Sequence, residues 1–78
     1  MLISIIIPCY NEIHTIDKII DLVNDQKEID KEIILVDDCS SDGTKELIEN
    51  EIFKKVDTVI YHKKNYGKGA AVRSGIKN

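Results

Sequence analysis

Three short polar clusters stand out in this chain, because their residue types suit work that the rest of the sequence cannot do. Pro8-Cys9-Tyr10-Asn11-Glu12 is the first, Asp37-Asp38-Cys39-Ser40 the second and Asn65-Tyr66-Gly67-Lys68-Gly69 the third. Tyr10 offers a flat face on which a base can stack. Glu12 and Asp38 are acceptors suited to base N–H groups or ribose hydroxyls. Lys68, between two glycines, sets a cation where backbone can approach a ligand closely. A helix starting at Lys68 or Gly69 would add exposed backbone N–H groups for a diphosphate. Arg73, one or two turns further on, is a phosphate candidate or a solvated surface residue. Together these residues describe a site for a base, a ribose and a diphosphate.

Each cluster also has a plainer reading. Asn11 and Glu12 can cap a helix, Ser40 to Thr44 can start one, and Gly67 and Gly69 can make a turn. Asp37 and Asp38 fit that reading least well, since adjacent acids repel and turns rarely need both.

The elements that must position the clusters alternate. Leu2 to Ile7 is a β-branched, almost continuous apolar run, which suits a strand covered on both faces. Asn11 is placed to cap a helix carrying Ile13, Ile16, Ile19, Ile20 and Val23, through about residue 27. Glu32 to Asp37 reads as a second strand. Leu47, Ile48, Ile52 and Phe53 mark a second amphipathic helix. Asp57 to His62 reads as a third strand, and a third helix follows Gly67. This order specifies an α/β fold: a β-α-β-α-β-α half of a doubly wound, Rossmann-like domain with a parallel three-stranded sheet. All three clusters follow strands. In an open α/β sheet they therefore share the crevice beyond the strands' carboxyl ends, where ligands bind.

Composition narrows the field. With 78 residues there is room for one small domain, and a net charge of −3 does not point to nucleic acid as partner. Cys9 and Cys39 stand apart, with no CxxC or Cys/His cluster, so free thiols and no zinc are expected; His14 and His62 read as structural or incidental. The apolar start is too short to span a bilayer and lacks the marks of a signal peptide, so a cytoplasmic location is expected, with membrane contact only through further segments. A receiver-type domain needs acids after strand 1 and an aspartate after strand 3, where Tyr10-Asn11 and His62-Lys63 stand. A dehydrogenase needs GxGxxG after strand 1, and Pro8 to Glu12 holds no glycine.

Ser4 to Glu12, Ile34 to Thr44 and Asn65 to Ala71 resemble, in order and spacing, three motifs of the family 2 glycosyltransferases of the GT-A fold. The third is most similar to that of polyprenyl-phosphate sugar transferases of the dolichyl-phosphate mannosyltransferase type. The resemblance covers the whole chain. It implies that Pro8, Tyr10 and Glu12 line the nucleotide pocket, with Val36 against the base. It implies that Asp38 hydrogen-bonds the base, that Lys68 lies near the diphosphate, and that Asp37 supports the turn. Cys9 falls at a variable position and receives no role. The implied donor is a UDP- or GDP-sugar, and the implied acceptor a polyprenyl phosphate or a glycan.

The family's Asp-x-Asp motif, which binds Mg²⁺ or Mn²⁺, and its catalytic base are absent from these residues. No catalytic or metal residue is therefore assigned, the chain by itself is expected to bind no cofactor, and it is expected to lack transferase activity. Strand 1 would have no neighbour on one side, an awkward position for so apolar a strand. The expectation is an N-terminal, nucleotide-sugar-binding part of a domain whose continuation is missing. The alternative is an inert fragment, or one that self-associates through strand 1.

Overall fold

The computed structural model describes residues 1–77. The chain runs β1 (Ile3–Cys9), α1 (Ile16–Asn24), β2 (Lys31–Asp37), α2 (Thr44–Asn50), a 3-10 turn (Ile52–Lys55), β3 (Thr58–Tyr61) and α3 (Lys68–Lys77). The strands form one parallel sheet in the order β1-β2-β3. This is the expected α/β architecture, with β2 central and β1 at an edge.

Side chains alternate across a strand, so β2 feeds two cores. Ile33 and Leu35 join Cys9, Ile16, Ile20, Ile48 and Ile52 beneath α1, α2 and the 3-10 turn. Ile34 and Val36 join Ala71 beneath α3, with Ile6 and Ile60 against them. A run of four apolar residues from Ile33 to Val36, all buried, is what a strand covered on both faces requires. The edge strand is different: Leu2 and Ile3 remain exposed. Helix α3 comes very close to β1. A Cβ built on Gly75 would lie 2.6 Å from Ile6 Cγ2, so only glycine leaves room there.

Three boundaries differ from the sequence reading. Asn11 does not cap α1, which starts at Ile16 after a turn; Asn11 instead takes a left-handed conformation with φ 52°. Its side chain is used by the neighbouring loop, as described below. α1 also ends at Asn24 rather than near residue 27. Phe53 does not belong to a second helical face. α2 stops at Asn50, the 3-10 turn follows, and Phe53 lies exposed with the Lys54 ammonium over its ring.

Candidate nucleotide-binding site

The loops after β1 and β2 are laced together by reciprocal hydrogen bonds. The Asn11 N–H donates to Ser40 Oγ at 2.9 Å, and the Ser41 N–H donates to Asn11 Oδ1 at 2.7 Å. The Glu12 N–H donates to Thr44 Oγ1 at 3.0 Å, and the Ile13 N–H to Asp42 Oδ2 at 3.2 Å. Thr44 in turn donates through both its N–H and its hydroxyl to Asp42 Oδ1. Two loops cross-linked in this way present Tyr10 and Glu12 on a constrained backbone. Asp37, with no exposed surface, accepts from the Ser40 N–H at 3.2 Å and the Ser40 hydroxyl at 2.5 Å. It supports the turn and is not aimed at a ligand.

Asp38 organises the third loop. Its Oδ1 accepts the Tyr66 N–H at 2.9 Å and lies 2.8 Å from His62 Nδ1; its Oδ2 accepts the Gly67 N–H at 2.8 Å. Gly67 sits at φ +94°, a conformation that glycine adopts without strain, and this turns its N–H toward the carboxylate. Burial alone would raise the Asp38 carboxyl. The hydrogen bonds from His62, Tyr66 and Gly67 outweigh it and hold the group below the usual carboxylate range. An ionised carboxylate only accepts, so His62 Nδ1 carries the proton in that contact. His62 Nε2 then meets Ser74 Oγ of α3 at 2.7 Å.

The loops enclose a cleft of about 230 Å³ lined by Pro8, Cys9, Tyr10, Glu12, Asp38, Lys68 and Ala71. Five candidates, Pro8, Tyr10, Glu12, Asp38 and Lys68, are thus brought together. Tyr10 is 46% exposed, leaving its ring available for stacking. Glu12 has one oxygen engaged by the Thr15 hydroxyl at 2.7 Å. Two candidates lie outside the lining. Val36 has no exposed surface, because strand alternation turns it under α3 against Ala71, where a base cannot touch it. Arg73 projects from α3, with its guanidinium folded back toward Gly69 in the first turn.

Cys9, which received no role from the sequence, lines the cleft floor. Burial, with the Asp37, Glu12 and Asp42 charges nearby, pushes its thiol up to about 12. Sequence reasoning gave His62, Ser74, Asp42 and Thr44 no part in the site: His62 read as structural or incidental, and Asp42 and Thr44 only as the start of a helix. One signal was present for His62. The parallel register sets Tyr61 opposite Asp37, so the next residues, His62 and Asp38, must be neighbours.

The acidic groups here do not fit a divalent cation. Asp37, Asp38 and Asp42 each have hydrogen-bond donors of their own, and no group of three or more His, Cys, Asp or Glu among the described residues is placed to hold a metal. A second depression of about 330 Å³ lies at the opposite end of the sheet, between Asn24, Lys31, Lys55 and Asp57. Three of its charged side chains already have partners: Lys55 pairs with Asp17 and Asp21, Asp57 accepts the Ile33 N–H, and Lys31 donates to the Gln26 carbonyl.

The sequence from residue 4 to 78 matches the family model for glycosyl transferase family 2. The chain belongs to that family. This family 2 glycosyltransferase chain is 37% identical over 73 residues to TuaG of Bacillus subtilis, a glycosyltransferase named for teichuronic acid biosynthesis. It is 39% identical over 79 residues to the poly-β-1,6-N-acetyl-D-glucosamine synthase of Staphylococcus epidermidis. These matches cover 90% and 96% of the chain but only 28% and 18% of the relatives, so the chain spans less than a third of the length of each. Among solved structures, the mannosyltransferase PcManGT of Pyrobaculum calidifontis, in complex with GDP-Man and Mn²⁺, superposes with a TM-score of 0.82 at 24% identity. That likeness covers 96% of this chain and 23% of the mannosyltransferase, and it shows the GT-A fold.

Proposed function

We propose that this chain is the part of a family 2 glycosyltransferase domain that holds the nucleotide diphosphate of a UDP- or GDP-sugar. The observation that carries the reading is the single cleft to which three successive loops contribute Tyr10, Glu12, Asp38 and Lys68. In this reading the base stacks on Tyr10 and donates to Asp38, while Glu12 accepts from a ribose hydroxyl. The diphosphate lies against Lys68 and the free amides that open α3. Arg73, folded back toward that first turn, is a second cation within reach of an extended diphosphate. Pro8 and Ala71 wall the cleft.

In a complete relative the reaction is transfer of the sugar to an acceptor, a polyprenyl phosphate or a glycan. Lys68 would stabilise the negative charge that develops on the departing diphosphate. A lipid phosphate acceptor is already ionised and needs no base, whereas a glycan hydroxyl needs one to take its proton. The Mg²⁺ or Mn²⁺ expected of such a relative finds no donor set among these residues, and no step here is assigned to it. A cytoplasmic domain is part of the same proposal. No described helix is long and apolar enough to cross a membrane.

The test is a titration of the ¹⁵N-labelled chain with UDP and GDP, followed by amide shifts. Shifts concentrated at residues 8–12, 38 and 66–71 are expected. No saturable shift with either nucleotide, or shifts clustered around Lys31 and Asp57, would refute the reading. A second reading rests on the exposed Leu2 and Ile3 at the free edge of β1. If that edge recruits another copy of the chain, size-exclusion chromatography should show a concentration-dependent dimer.

A further inference from the structure

Charge is divided unevenly along this chain. All 14 acidic residues lie at or before Asp57. Of the 11 lysines and arginines, five follow it: Lys63, Lys64, Lys68, Arg73 and Lys77. Six cations against 14 acids leave the first 57 residues at −8, and residues 58 to 78 carry +5, which gives the −3 of the whole.

The fold gathers the cationic segment on one side. β3 is the sheet edge opposite β1, and the loop after Tyr61 leads directly into α3. Ala71 and Gly75, four residues apart, are the buried side of α3, packed on Val36 and Ile6. Arg73, Ile76 and Lys77 share three- and four-residue spacing on the side facing away, and all three are exposed. Lys63, Lys64 and Lys68 are exposed in the loop and at the first position of the helix. Among the described residues, the ion pairs engage Lys55 and His62 and none of these five cations. Asp38, the carboxylate built into this loop, is buried and turned inward to the Tyr66 and Gly67 amides, so it does not neutralise them. Lys68 and Arg73 have a part in the proposed diphosphate site. Lys63, Lys64 and Lys77 have none.

Large apolar side chains stand among the cations: Tyr66 is 57% exposed and Ile76 is 69% exposed. A partner for this face must be anionic and must also accept apolar groups between its charges. A nucleic-acid duplex offers phosphates but no apolar layer for Ile76. An anionic bilayer surface offers both, since it attracts polybasic segments and takes aromatic and aliphatic side chains at headgroup level.

We propose that the face formed by the loop after β3 and the outer side of α3 rests on an anionic lipid surface, with the acidic remainder of the chain turned away from it. This goes beyond the nucleotide-binding reading and does not depend on it. The contact is peripheral and is weakened by salt.

The test mixes the 78-residue chain with vesicles of phosphatidylcholine alone and of an equal mixture with phosphatidylglycerol, and reads the bound fraction by sedimentation. Binding to the mixed vesicles alone is expected, and it should be lost between about 0.1 and about 1 M salt. Lys63→Glu/Lys64→Glu should lower the partition coefficient by at least about twentyfold, since each cation near such a surface contributes roughly fivefold. Lys18→Glu/Lys27→Glu makes the same change in net charge at exposed positions on and just after α1. It should lower the coefficient by less than about threefold, because those charges are screened from the surface. Dispersed amide spectra of both variants establish that they are folded. Equal binding to neutral vesicles, no binding to either kind, or equal losses in the two double variants overturns the proposal. Tighter binding to a DNA duplex, or a lipid-free dimer broken by Lys63→Glu/Lys64→Glu, overturns it too, by assigning the face to nucleic acid or to a second copy.

Discussion

The imidazole of His62 and the carboxylate of Asp38 stand 2.8 Å apart at the end of β2 and β3, and both are nearly closed off from solvent. The contact joins loops that are far apart in sequence. Through Ser74 at 2.7 Å it also reaches α3, the helix that begins at Lys68. A buried acid must have donors, and here they come from one side chain and two backbone amides. The ends of the cleft proposed for the base and for the phosphates are therefore built on one hydrogen-bonded unit.

Removing the imidazole should loosen that unit. His62→Ala leaves a buried acceptor short of a donor and is expected to cost roughly 1–3 kcal/mol in urea unfolding. Amide shifts should change most at Tyr66 and Gly67. His62→Asn places an amide nitrogen close to the Nδ1 position and should recover most of the loss. Equal stability of the alanine variant and the parent chain would show the contact to be dispensable.

Acid should expose the same dependence. The Asp38 carboxyl lies below its ordinary value in the folded chain, because the His62, Tyr66 and Gly67 donors outweigh burial. Its stabilising contribution is then fully present above the unfolded-chain value of about 4 and is lost as pH falls through the lower folded value. Unfolding free energy should thus hold near neutrality and drop below about pH 4. Asp38→Asn cannot titrate, so its stability should start lower and vary less across that window. Asp42 is also held low by Thr44 and Ile13, so the difference between parent and variant is the quantity to measure. Parallel pH curves for the two proteins would contradict the assignment.

Lys68 is exposed at the first position of α3 and needs no partner for folding. Lys68→Ala should leave stability within about 0.5 kcal/mol, as for most surface substitutions. It should weaken UDP binding by roughly tenfold, with a smaller salt dependence, since a screened charge–charge attraction is removed. Uridine, which has no phosphate, should bind both proteins alike. A uridine loss as large as the UDP loss would place Lys68 at the base instead.

Much of the fold was legible because β2 and β1 are apolar runs with turn residues after them, and the register follows from that alternation. The cleft was legible for a related reason: residues that follow parallel strands end up at one edge. What the sequence could not display was how polar residues divide their bonds. Asn11 has the composition of a helix cap, yet its side chain closes a loop-to-loop contact with Ser41. Val36 belongs to the right motif, but the pleat turns it inward. His62 looked isolated because its partners, Asp38 and Ser74, are 24 and 12 residues away.

The two thiols should behave differently. Cys9 is 2% exposed and its thiol is pushed up to about 12, so it carries almost no thiolate near neutral pH. Cys39 is exposed, with its Sγ directed to the Lys63 carbonyl at 3.5 Å. Iodoacetamide at pH 8 should modify Cys39 promptly and Cys9 only after denaturation. Mass spectrometry of the folded protein should show a single adduct, and a second adduct forming at a similar rate would mean that the cleft floor is open.

Gly75 tests the close approach of α3 to the sheet, and two effects oppose each other there. Alanine is the better helix former, by about 1 kcal/mol in a helix interior. Its Cβ, however, would lie 2.6 Å from Ile6 Cγ2 and 3.0 Å from Cγ1. Those atoms are on the branched stem of an isoleucine in β1, which has few rotamers to escape into. Overpacking of this kind costs about 1–3 kcal/mol, so the clash should win and Gly75→Ala should lower the midpoint of thermal unfolding. Trimming the obstacle supplies the decisive control. In Ile6→Ala the space is already open, and adding Gly75→Ala should then be harmless or slightly stabilising. The two substitutions would be strongly non-additive, as expected for residues in direct contact. Additive losses would mean that α3 can shift away from β1, and that Gly75 serves some purpose other than clearance.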